Sequence, residues 1–283
     1  MATLPERGCS GWMAELRLQF ERRDDRTVLA HRWHRGPLQV QRPFYPEPTG
    51  VCHLYLLHPP GGVVPGDRLH IEARLEEGAE VLLTTPASGK IYRSHGPVSG
   101  QTTQLCVGAR GALEWFPQET IVFDQAQTER KTLVELADQD AHFTGWEILC
   151  LGRPACEERF TFGNCKQAFE IWREGRPLWV ERSNYEGGAA LLEAPWGLRG
   201  HPVVGTFVCV ARAPGLIERV REICGEVSRE GRHLVPSQLQ DVLVVRYLGD
   251  HVDEAKAYFT KVWAALRPMV TGRAVSLPRI WRT

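Results

Sequence analysis

Several residue patterns along the chain could support chemistry, and each makes a definite demand on its surroundings. The segment TTPASGKI, Thr84 to Ile91, contains a Gly89-Lys90 pair of the kind found in phosphate-binding loops. Such a loop needs a glycine five positions before Gly89, so that the backbone can wrap the anion, and a hydroxyl after the lysine to hold magnesium. Those positions are Thr84 and Ile91, so the segment reads as a strand followed by a loop. Structural zinc sites pair their ligands about two to four residues apart, and the cysteines include no Cys-x-x-Cys pair. His31 and His34 are three apart, which on a strand means opposite faces. They read as surface histidines, and the adjacent Cys52-His53 as a packed thiol beside a third surface histidine. No Gly-x-Ser-x-Gly elbow or cysteine-nucleophile motif is present, so Ser88 has only a distant histidine to call on. Two carboxylates in strand-like runs stand out, Glu147 between Trp146 and Ile148 and Glu181 between Val180 and Arg182. In an antiparallel sheet one face is usually solvated, and from the residues alone both read as glutamates on that face.

The elements that carry these residues are mostly strands. Ala14, Leu16, Leu18 and Phe20 alternate with polar residues, as do Leu69, Ile71, Ala73 and Leu75. Further strands are expected at Thr27 to Trp33, Pro37 to Gln41, His53 to Leu57, Val81 to Thr85, Gln101 to Val107, Ala112 to Phe116, Lys131 to Leu136, Gly145 to Leu151, Phe160 to Trp172 and Leu178 to Ser183. Turn residues separate them at roughly 8 to 12 residue spacing, which favours a sandwich, barrel or stacked-strand architecture over βαβ units. Helical periodicity appears at Leu216 to Val227, after Pro214-Gly215, and from Val252 to Leu266, closed by Pro268. A strand at Val242 to Tyr247 lies between them. The simplest parse is one domain, strand-rich over 1–212 with a helix-strand-helix addition over 213–283.

Composition narrows the function classes. Lys plus Arg total 34 and Asp plus Glu total 34, so no net field draws in nucleic acid or an anionic membrane. Glu6, Arg7, Glu15 and Arg17 interrupt the N-terminal segment, which therefore does not read as a secretory signal, and no apolar run reaches the ~18 residues of a membrane span. The eight cysteines then read as reduced thiols, and the cytoplasm is the expected compartment.

One segment carries more than local information. HPPGGVVPGD, His58 to Asp67, is a stiff, turn-rich stretch that ends at an aspartate opening the next strand. Together with KIYRS (Lys90 to Ser94), WFPQETIVFDQA (Trp115 to Ala126), GPLQVQRPFYPE (Gly36 to Glu47), WEILCLGRP (Trp146 to Pro154), LWVER (Leu178 to Arg182) and the C-terminal LRPMVTGRAVSLPRIWRT, it resembles the urease accessory protein UreD (UreH) family, in order and over nearly the whole chain. Pro65 and Gln125 stand where that family commonly has glycine, and Ala87-Ser88-Gly89 reorders its usual pattern.

The resemblance implies stacked, β-helix-like sheet layers with two helices. Combined with the strand pattern, it predicts an all-β fold, mainly antiparallel, with two α-helices in the C-terminal region. It implies a non-enzymatic scaffold that joins urease apoprotein to UreF-like and UreG-like accessory proteins while nickel is delivered, with no tightly bound cofactor. It also marks Asp67, Ser88, Glu147 and Glu181 as polar groups along a path for nickel in transit. Spaced carboxylates suit that task, since a borderline divalent cation binds them weakly enough to leave. Two other readings compete: a hydrolase using a pair among Asp67, Glu147 and Glu181 in a substrate-sized pocket, and a metal store with clustered ligands.

Overall fold

The computed structural model describes residues 11–227 and 233–282. The alternation at the start of the chain produces the strand Met13–Arg23, in which Ala14, Leu16, Leu18 and Phe20 are buried while the intervening residues face outward. Arg68–Leu75 repeats the pattern and lies parallel to it. A seven-stranded sheet follows, in the order Arg176–Glu186, Asn164–Arg173, Gln127–Leu136, Ser99–Val107, Arg68–Leu75, Met13–Arg23, Arg26–Arg35. Its edge pairs are antiparallel and its four inner pairs are parallel.

The second sheet faces the first. Its main path runs His233–Leu239, Val242–Gly249, Val203–Val210, His142–Arg153, Ala112–Phe116, Glu80–Thr84, Cys52–Leu57, Gln39–Val40. Here too the middle is parallel, with antiparallel pairs toward both ends. The chain passes repeatedly from a strand of the first sheet to a strand of the second, then through a short third side formed by Gly89–Ile91 and Thr120–Val122, which pair in parallel. Each coil therefore stacks on the one before.

This corrects the expectation of a mainly antiparallel fold. Parallel neighbours need a crossover, usually a helix, and here a strand of the opposite sheet serves as that crossover. Period-2 patterning reports which face a residue occupies but not the direction of the strand. The helix count also differs, because a one-turn helix α1 (Ala190–Glu193) precedes the two expected helices, α2 (Leu216–Val227) and α3 (Val252–Thr271). Pro268 lies inside α3 rather than closing it, and Gly272, with φ of 70°, provides the left-handed cap. His233–Leu239 was not among the expected strands, and the expected strand at Phe160 to Trp172 is broken, beginning only at Asn164.

Two apolar cores result. Between the sheets lie Leu16, Leu18, Ile71, Leu105, Val134 and Phe169 from one side and Leu54, Leu83, Leu113, Trp115, Phe143 and Val208 from the other. On the far side of the second sheet, Phe116, Trp146, Phe207 and Tyr247 pack against Val220 of α2 and Phe259, Val262, Trp263 and Leu266 of α3. The second sheet is thus covered on both faces, which is why Ala112–Phe116 is buried throughout. No helix among the described residues is long and apolar enough to cross a membrane.

Candidate functional site

Glu147 sits near the middle of His142–Arg153, where Trp146 and Ile148 face the helices and Phe143 and Leu149 face the first sheet. Alternation therefore turns its carboxylate into the space between the sheets, where it is 5% exposed. Thr132 donates its hydroxyl to Oε1, and Gln167 donates its amide to Oε2 at 2.6 Å. Arg130 Nη1 stands 4.0 Å from Oε2. Glu181, on the edge strand, accepts from the Thr206 hydroxyl at 2.9 Å and from Arg246 Nη2 at 2.6 Å. Thr206 is the ladder partner of Glu147, and Phe169 that of Glu181. Glu147 and Glu181 consequently line one small cavity, with Gln167, Ser183, Tyr185 and Thr206, on the order of 10 Å³ and close to the size of one water.

Asp67 and Ser88 do not line that cavity. Asp67 is buried, and its two oxygens accept the backbone N–H groups of Trp12 (2.8 Å) and Val64 (3.0 Å). Its own N–H closes the four-residue turn back to the Val64 carbonyl at 3.1 Å. Pro65 and Gly66 fill the two middle positions of this turn, and Gly66 has φ of 86°, which suits a type II turn. Pro65 at a common glycine position is therefore no defect. Gln125, the second residue in place of a glycine, adopts a left-handed φ of 67°, a conformation that glycine takes up without steric cost. Ser88 donates its hydroxyl to Glu119 Oε1, and Glu119 Oε2 lies 3.3 Å from Lys256 on α3.

A second polar group, not singled out from the sequence, is buried where α3 meets the second sheet. Arg267 of α3 donates from Nε to Glu114 Oε1 (2.9 Å) and from Nη2 to both Glu114 Oε2 (3.0 Å) and Glu47 Oε1 (2.7 Å). Trp263 Nε1 adds a bond to Glu114 at 2.6 Å, and His53 Nε2 lies 2.7 Å from Glu47. Burial pushes the Glu114 carboxyl up against the pull of Arg267. Burial also works to raise Glu47, but hydrogen bonds from His53 and Arg267 outweigh it and hold that carboxyl low. The sequence signal for Glu114 was a lone charge in the apolar run Ala112 to Phe116.

Cys52, Cys106, Cys150, Cys156, Cys165 and Cys209 are thiols outside any disulfide. Burial raises the thiols of Cys52 and Cys165 to about 12 and those of Cys150, Cys209 and Cys224 to about 11, so none of these offers a thiolate at neutral pH. Among the described residues no three His, Cys, Asp or Glu side chains are grouped to hold a metal ion. What Glu147 and Glu181 provide is a pair of carboxylates, each already engaged by neutral donors or an arginine, beside a space too small for an organic substrate. The expected hydrolase geometry is absent there.

A family model described as UreD urease accessory protein matches residues 13–282. The chain is 46% identical over 275 residues to the urease accessory protein UreD of Azoarcus sp. (strain BH72), covering 96% of this chain and 95% of that protein. It is 44% identical over 277 residues to the UreD of Dechloromonas aromatica (strain RCB), with 96% and 95% covered. It is 45% identical over 275 residues to the urease accessory protein UreD 2 of Brucella anthropi, with 97% and 99% covered.

Proposed function

Because the chain belongs to the UreD family of urease accessory proteins, we propose that it acts as a non-catalytic scaffold, joining urease apoprotein to UreF-like and UreG-like partners in the cytoplasm during nickel delivery. The observation that carries this reading is similarity over nearly the full length of both chains to relatives named urease accessory protein UreD, at 44% to 46% identity. The geometry supports a transit role for Glu147 and Glu181. Two inward carboxylates share one water-sized cavity, and a passing Ni²⁺ would replace the Gln167 and Arg246 contacts of those carboxylates. Such competition keeps the ion from being trapped, as oxygen donors without a closed cage hold nickel only weakly. Asp67 and Ser88 take a positioning part in the same proposal, fixing the turn and loop that lead toward the inter-sheet space.

The test is co-expression of the full chain with urease and its accessory proteins. Glu147→Gln and Glu181→Gln, singly and together, are expected to lower the nickel content of purified urease at least several-fold while the accessory complex still co-purifies. Full nickel loading in the double variant would reject the path. Failure of the unaltered chain to co-purify with urease or a UreF-like protein would reject the scaffold.

A further inference from the structure

The space between the sheets is not uniform in charge. Beside the cavity of Glu147 and Glu181 lies a larger one of about 190 Å³, lined among others by His58, Ser88, Lys90, Gln101, Trp115 and Arg130. None of its lining residues is Asp or Glu, whereas Lys90 and Arg130 are both cationic. Arg130 shares the inward face of Gln127–Leu136 with the buried Thr128, Thr132 and Val134, and its ladder neighbours are Gln101 and Gln167. Its side chain is 9% exposed, and its Nε and Nη1 meet no hydrogen-bond acceptor among the described residues. Glu147 stands at ion-pair distance, 4.0 Å from Nη1, and makes no hydrogen bond to it. From the opposite sheet the buried Trp115 Nε1 also has no acceptor. Burying guanidinium and indole donors without a bonded acceptor is costly, and here two facing walls present donors that no protein group accepts.

We propose that this cavity is a binding site for a small planar oxyanion of the carboxylate type, held by the Arg130 guanidinium and the Trp115 indole N–H. The guanidinium fork matches two coplanar oxygens, and the indole supplies a third donor. Size sets the upper bound. At about 190 Å³ the cavity falls below the roughly 300–1,000 Å³ of pockets for drug-sized ligands, which suits a small anion accompanied by water. The site stands on Arg130 and Trp115 and does not depend on the nickel path.

The probe is ¹³C-labelled formate, titrated into the full chain at constant ionic strength set with sodium fluoride and followed by formate line broadening. Saturable binding at one site, displaced by nitrate, is expected. Arg130→Gln should weaken it at least tenfold and Trp115→Phe several-fold, while Arg74→Gln, an exposed arginine outside the cavity, leaves it unchanged. Broadening that never saturates, or equal affinity in Arg130→Gln, overturns the proposal. Should Arg130→Gln not fold by circular dichroism, Trp115→Phe decides: unchanged formate affinity there overturns it equally.

Discussion

Asp67 illustrates how one side chain can look chemical and act structurally. Both oxygens accept backbone N–H groups, from Trp12 and Val64. Asp67→Asn turns one acceptor into a donor facing a donor, and should cost about 1–3 kcal/mol, read as a lower urea midpoint with unchanged slope. An unshifted midpoint would show that these bonds do not brace the turn. Glu47 makes a pH prediction. Its ordinary value is 4.5, and its hydrogen bonds to His53 and Arg267 lower it in the fold despite burial. A depressed folded pKa gives stability that is full above the unfolded value and is lost as pH falls through the folded one. Glu47→Gln should therefore flatten the loss of stability below pH 4.5 in acid titrations; a slope like that of the unaltered chain would contradict this. Glu114 works in the opposite sense, since its raised pKa takes stability away as pH climbs through it. Asp67 as the end of a turn was readable from its glycines and prolines. Arg130 and Glu114 were not, because alternation marks a charged position as wet unless its distant partner is known, and the partner of Glu114 lies 153 residues further on.

At the scale of elements, facing was legible and direction was not. Ala14 to Phe20 and Leu69 to Leu75 bury the residues that alternation predicts. Their parallel pairing depends on crossovers through the other sheet, which leave no local signature. The third side was missed because Gly89–Ile91 and Thr120–Val122 are only three residues long. Helix α3 was legible by period, but what fixes it to the second sheet was not. Its Arg267 is 3% exposed and bonds to two buried glutamates. Arg267→Met should destabilise the fold by about 3–5 kcal/mol, since it strands carboxylates away from water. Adding Glu114→Gln and Glu47→Gln should recover part of that loss, and a triple variant no more stable than the single one would deny the coupling.

At the scale of the molecule, the second sheet serves two cores, and its outward face is covered by the segment that follows residue 212. Chains ending at residue 212 would uncover Leu82, Phe116, Trp146 and Phe207, and are expected to elute as aggregates in gel filtration because such a contiguous apolar patch is not tolerated in water. A monodisperse truncated chain would refute this. The coil arrangement also has a temporal side. Each middle strand pairs with the strand one coil earlier, so a chain leaving the ribosome can lay down successive turns as they emerge, much as repeat proteins grow by nearest-neighbour stacking. The Glu47 to Arg267 bond spans 220 residues and runs against that order. Glu47 must wait for a helix made after all of the coils. Emergence of α3 is thus built into the fold as a late locking event, and a ribosome stalled before it would hold a nascent chain with its lock still open.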